Sequence, residues 1–319
     1  MNKKIVVGLL FVFCFCFASA AFAQEKRSGE KKPDQDHLQI NGTTVRWEHN
    51  SSDDGTKITL ALKNAQFNDD YTDVESIASD GYFRLTEDRR GTVQRLEITP
   101  EADGQLKRVY WRGGDVRPFD EAARKWLARL LNESVAGSGF DAQARVGRIL
   151  RKGGANAVLT EIGRLKTDYA RRVYSNALLE QGNLNGEQLA KLLAQSSRTI
   201  GSDYEKATLL IQVLKNNLKD AGVRAAFFDV VGTIGSDYER GRVLAVLFKR
   251  SDLTAETLLA ALKSARTMGS DFEKANVLIR ASKTEAANES VRASIIEAAH
   301  TLGSDHERGR VLTAVTKKQ

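Results

Sequence analysis

Apolar and polar positions alternate with a period of two in the first third of the chain, and a helical period replaces that alternation in the rest. Five runs between residues 38 and 117 show the alternation: 43–49, 57–62, 81–87, 92–99 and 106–111. Such runs predict strands with one face packed and one face in water. Their connections are rich in turn residues, as in Ser51-Ser52-Asp53-Asp54-Gly55, Arg89-Arg90-Gly91 and Ala102-Asp103-Gly104. Short strands at regular spacing predict an antiparallel meander. Pro118-Phe119-Asp120 then opens a helix with Trp126, Leu127, Leu130 and Leu131 on one side. That apolar side predicts a helix docked between the sheet and the first helical repeat.

From there a motif returns every 34 residues. Gly201-Ser202-Asp203-Tyr204-Glu205-Lys206 recurs from Gly235 to Arg240, from Gly269 to Lys274 and from Gly303 to Arg308. A fixed period of this size predicts stacked two-helix units that share one core. Ser202, Ser236, Ser270 and Ser304 read as N-caps, with Glu205, Glu239, Glu273 and Glu307 three positions later as the other half of a capping box. The preceding glycines read as left-handed helix ends. Asp203 with Lys206, and the equivalent pairs, read as i, i+3 ion pairs. The aromatic slot holds Tyr169, Tyr204, Tyr238 and Phe272, with His306 in the last unit. It tracks the apolar stripe, which predicts core contacts between units, with a stacking platform for sugars or peptides as the alternative. Ala207, Gly241, Ala275 and Gly309 keep one position small, which predicts a close helix–helix contact. Second helices are predicted over 223–234, 258–268 and 291–302, and a weaker unit opens at Thr167-Asp168-Tyr169.

The predicted fold class is therefore α+β in two domains: an antiparallel β domain over 38–117, then an α-solenoid over 118–319. Its units are HEAT-like or tetratricopeptide-like, but neither the Trp-x-x-Leu-Gly start nor the closing proline of a tetratricopeptide is present. Ile77-Ala78-Ser79-Asp80-Gly81-Tyr82-Phe83, the strand at Arg95-Leu96-Glu97-Ile98, and Pro118-Phe119 with Trp126-Leu127, followed by Ser-Asp-Tyr-Glu-Lys/Arg repeats, resemble uncharacterised exported bacterial proteins. Similar segments occur outside the membrane in metallopeptidases of the β-lactam-sensor type. The resemblance covers about residues 38–316 and implies envelope sensing or scaffolding. The peptidase part does not carry over, because the chain has no His-Glu-x-x-His.

Lys3-Lys4, an uncharged apolar run over 5–17 and Ala21-Phe22-Ala23 predict a signal peptide over 1–23, with an uncleaved anchor as the alternative. Residues 24–37 are charged and poor in large apolar side chains, which predicts a disordered tether. The expected location is periplasmic or secreted. Both cysteines, Cys14 and Cys16, fall in the predicted signal. The remainder holds none, which excludes disulfides, thiolate metal sites and cysteine nucleophiles from it.

The formal net charge is +7, and the basic excess lies after residue 118. Behind an export signal this points to acidic proteins or anionic envelope surfaces, and not to nucleic acid. Lys215, Arg242, Lys249, Arg280, Lys283 and Arg310 are the candidate partner-binding residues. They lie outside the apolar stripe of the first helices, and stacking would align them as a basic ridge, with a solvated face as the alternative.

No catalytic, cofactor or metal residues are assigned. His37, His49, His300 and His306 lack a metal-ligand spacing. The acidic segment 68–75 lacks the spaced ligands and glycine of an EF-hand and reads as a solvated loop. Gly137-Ser138-Gly139 is too tight for a nucleophile elbow and reads as a helix cap. Three functions are expected: a non-enzymatic scaffold engaging another envelope protein, a sensor whose β domain binds a cell-wall or small-molecule ligand, and, ranked last, an envelope-polymer hydrolase.

Overall fold

The computed structural model describes residues 35–215, 218 and 220–316; the expected signal peptide over 1–23, residues 24–34 of the expected tether and residues 317–319 lie outside them. An antiparallel sheet comes first: β1 Gln35–Asn41, β2 Thr44–Asn50, β3 Thr56–Phe67, β4 Val74–Arg89, β5 Thr92–Pro100, β6 Leu106–Arg112 and β7 Asp115–Arg117. Every strand pairs with its neighbour in sequence, so the seven form a meander. The period-two alternation puts Trp47, Leu60, Phe83, Leu85, Leu96 and Ile98 in the core.

Two strands depart from the sequence reading. β1 takes residues 35–37 out of the expected tether, and β7 was not expected at all. Both are edge strands joined to the sheet across tight turns; β7 is fully exposed, whereas β1 packs Leu38 against the core. Gly42 (φ 59°), Gly113 (φ 64°) and Gly114 (φ 92°) supply the left-handed residues that those turns require. β3 and β4 also run longer than expected, through register shifts at Lys63/Ala65 and Gln66/Phe67.

The first helix, α1 Glu121–Ser138, is capped by Asp120, whose side chain accepts from the Ala123 amide at 3.0 Å. Trp126, Leu127, Leu130 and Leu131 are buried along it. Glu87 of β4, 2% exposed, accepts from Trp126 Nε1 and from Arg129 Nη2, both at 2.8 Å. A buried carboxylate needs such donors, so this contact fixes α1 on the sheet. A second contact joins the loop before β4 to the helices. The Tyr71 hydroxyl donates to Asp141 and accepts from Arg148, while Lys152 donates to Asp69. Burial, then the charge of Asp141, push the Tyr71 phenol up. Asp73 pairs with Arg108 at 3.3 Å, and Asn68 accepts from the Thr72 and Asp73 amides. The acidic loop is thus stitched to its surroundings.

Among the described residues ten further helices come after it: α2 Ala142–Arg164, α3 Asp168–Gln181, α4 Gly186–Thr199, α5 Asp203–Val213, α6 Ala221–Gly232, α7 Asp237–Leu247, α8 Ala255–Arg266, α9 Asp271–Ser282, α10 Glu289–Ala299 and α11 Asp305–Thr316. Contacts run in two rows. One stacks α3, α5, α7, α9 and α11; the other stacks α2, α4, α6, α8 and α10. Ile200, Ile234, Met268 and Leu302, each directly before a motif glycine, are buried between the rows. The molecule is thus α+β, with the sheet preceding a helical region.

Candidate functional site

The recurring motif determines what the odd-numbered row shows to solvent, and its residues act differently from the sequence reading. Each serine does cap its helix: Ser202, Ser236, Ser270 and Ser304 accept from the amides of Glu205, Glu239, Glu273 and Glu307 at 3.3 Å. The glutamate does not return the bond, so the capping box is half formed. Asn185 with Gln188 makes the complete box instead, at the start of α4. The motif aspartates do not pair three residues along either, except Asp168 with Arg171 and Asp305 with Arg308 at the two ends. Four of them reach into the next unit. Asp168 accepts from the Gly201 and Ser202 amides at 2.9 and 2.7 Å, and Asp237 accepts from Gly269 and Ser270 at 2.8 and 2.7 Å. Asp203 and Asp271 accept from Ser236 and Ser304, both at 2.8 Å.

This clamp explains the glycine. Gly201, Gly235, Gly269 and Gly303 are absent from the positive-φ residues, so no left-handed turn calls for them. A Cβ on Gly235 would meet Asp203 Oδ2 at 3.3 Å, and one on Gly303 would meet Asp271 Oδ2 at 3.2 Å. Glycine leaves room for the clamping carboxylate.

The motif cation is buried: Lys206 6%, Arg240 6% and Lys274 5% exposed. It lies under the end of a second helix. Lys206 donates to the Thr233 carbonyl at 3.2 Å, Arg240 to Thr267 Oγ1 at 2.8 Å, and Lys274 to Thr301 Oγ1 at 3.4 Å. A cation at a helix C-terminus meets its unpaired carbonyls and the negative end of its dipole.

With the cation inside, the aromatic slot is outside. Tyr169 is 38% exposed, Tyr204 46%, Tyr238 61% and Phe272 56%. The expectation of core contacts is corrected: two positions after the N-cap, the slot faces away from the second helices. Lys215, Lys249 and Lys283 stand 11 residues after Tyr204, Tyr238 and Phe272, just past the last helical residues Val213, Leu247 and Ser282, and all three are exposed. Among the described residues none of these ammonium groups has a carboxylate partner. The small positions Ala207 and Ala275 are fully buried, as a helix contact requires, whereas Gly309 is exposed.

The other three candidates differ. Arg242 and Arg310 are half-buried; they pair with Glu239 and Glu307 and cover the rings of Tyr204 and Phe272 at 5.4 and 5.8 Å. Arg280 is exposed but, eight residues after Phe272 in the same helix, points about 80° away from that ring. So the structure leaves three lysines exposed and unpaired at the ends of odd-row helices, gives two arginines structural work on the rings and leaves Arg280 aside. Lys283, His306 and Arg310 line one groove of this face, between α9 and α11.

Sequence reasoning missed a second concavity. A cleft of 350 Å³ opens where β1 meets the helices, lined by Asp36, Leu38, Ile40, Trp47, Ser138 and Tyr169. His49 stacks on Trp47 and contacts Asp36 at 3.0 Å. No run of residues marks it, because its walls come from four elements, β1, β2, α1 and α3. Ser138 is no N-cap; its Oγ donates to the Ser134 carbonyl at 2.6 Å, closing α1 before the left-handed Gly139. Among the described residues no helix is long and apolar enough to cross a membrane. Comparison with known proteins finds no matching family model, no matching characterised protein and no matching solved structure.

Proposed function

We propose that this chain is an exported, non-enzymatic binding protein whose odd-numbered helix row engages an acidic segment of another envelope protein. In this reading the two rows of helices form an α-solenoid of 34-residue units and the sheet closes one end. One observation carries the proposal. Exposed Lys215, Lys249 and Lys283 recur at the ends of the helices whose first turns expose Tyr204, Tyr238 and Phe272, and their charges are unspent inside the molecule. Unpaired cations and exposed aromatic rings recurring along one row suit an extended acidic chain, since Coulomb attraction guides it and ring contact holds it. The resemblance to exported proteins with the same repeats supports the location. The test is crosslinking in cells with Lys215, Lys249 and Lys283 all changed to Glu. Loss of a dominant partner, with circular dichroism unchanged, supports the reading; an unchanged partner set rejects it.

A sensor is the second reading, favoured by the cleft beside Trp47 and Tyr169. It predicts that a ligand stabilises the wild-type chain against heat and does not stabilise Tyr169→Ala.

A further inference from the structure

Four intervals separate the odd-numbered helices from α3 to α11, each with an aromatic ring from one unit and the motif glutamate of the next. At three of them an arginine bridges the two. Arg172 lies over Tyr169 at 4.9 Å and pairs with Glu205. Arg242 lies over Tyr204 at 5.4 Å and pairs with Glu239. Arg310 lies over Phe272 at 5.8 Å and pairs with Glu307. The bridging arginine comes from two different sequence positions. Arg172 stands three residues after its ring, while Arg242 and Arg310 stand 38 after theirs. The ring and the carboxylate, not one repeat position, therefore define the place a guanidinium takes.

The fourth interval has the ring and the carboxylate without the arginine. Tyr238 is the ring and Glu273 the carboxylate. Three residues after Tyr238 stands Gly241, and 38 after it stands Asn276. Glu273 Oε2 lies 3.2 Å from where a Cβ on Gly241 would be, so the carboxylate leans across the gap. Asn276 is turned to the following unit, where its Oδ1 accepts from Arg310 at 3.2 Å. Among the described residues Glu273 has no ion pair. Tyr238 is the most exposed of the four rings, at 61%.

We propose that the Tyr238–Glu273 interval is a receptor for one arginine side chain of a partner protein. The guanidinium stacks on Tyr238 and donates to Glu273, as Arg172, Arg242 and Arg310 do within the chain. A guanidinium suits the slot better than an ammonium, because its flat face stacks while its edge donates. The partner segment then presents an arginine at the centre of its acidic stretch. This detail rests on the odd-row reading above, but the slot can be tested without the lysines.

The experiment is an NMR titration of the full chain with N-acetyl-arginine amide, using N-acetyl-citrulline amide as the uncharged control of nearly the same shape. Saturable shifts at Tyr238, Glu273 and Asn276 with the arginine probe, and none with citrulline, are expected. Glu273→Gln should weaken binding by about tenfold, the loss of one charge-assisted contact. Asn276→Arg should abolish it by filling the slot from within, as Arg242 fills the Tyr204 interval, and should keep the wild-type circular dichroism. Absent or equal shifts with the two probes overturn the proposal, as does undiminished binding to a folded Asn276→Arg chain. A positive titration together with an unchanged partner set for the triple lysine variant would reject the acidic-segment reading and leave the arginine slot standing.

Discussion

The junction of sheet and helices and the stacked rows of helices hold parts of one chain together by different means. At the junction each polar contact occurs once: Glu87 with Trp126 and Arg129, and Tyr71 with Asp141 and Arg148. In the rows the same contacts return from unit to unit: aspartate to the next unit's amides, a buried cation to a helix end. A contact made once cannot be replaced by a neighbour, whereas a repeated one shares its load along the stack. The repeated contacts also leave a surface free to vary, and the unmatched features of the odd row lie there.

The comparison breaks first at the junction. Glu87→Ala strips a buried carboxylate from two donors, and should cost about 3 kcal/mol of stability, read by denaturant unfolding. Arg129 keeps part of its exposure, so the loss should sit at the lower end for buried pairs. Asp237→Ala comes next. It frees the Gly269 and Ser270 amides and should cost about 2 kcal/mol. Hydrogen exchange should place its effect at the start of α9 and leave the sheet amides protected. If both variants loosen the whole chain alike, the distinction between single and repeated contacts fails.

The smallest effect concerns Asp69, an exposed carboxylate. The hydrogen bond and charge of Lys152 hold it below its ordinary value of 3.8. A lowered folded value contributes stability that is present above 3.8 and lost as the pH falls through the folded value. The melting difference between wild type and Asp69→Asn should therefore be small at neutral pH and vanish in stronger acid. A difference that grows on acidification would contradict the pairing.

Much of the architecture was legible. Alternation placed five of the seven strands, and the motif placed the starts of α5, α7, α9 and α11. What periodicity could not supply was the partner of each side chain. Asp203 looked like the mate of Lys206 because both lie in one helix. Instead it accepts from Ser236, 33 residues away in the next unit. Tyr238 looked like a core residue because large rings usually are, yet Arg240 takes the inside place, its guanidinium held by Ile234 and Thr267. The basic candidates were found by charge and by their place outside the apolar stripe of the first helices. Only the stacking separates the unpaired Lys215, Lys249 and Lys283 from Arg242 and Arg310, whose charges are met by Glu239 and Glu307. β7 escaped notice because three exposed residues leave no alternation to see, and β1 because its only apolar pair, Leu38 and Ile40, is too short a run to mark a strand.

The most direct test of the central claim compares the two rows of helices. A photo-crosslinking side chain is placed at Lys249, on the odd row, and at Leu259, 37% exposed on α8 of the even row. The account predicts one discrete adduct from position 249, lost at high salt, and none from position 259. Adducts from position 259 alone, or salt-insensitive adducts from both, would contradict it.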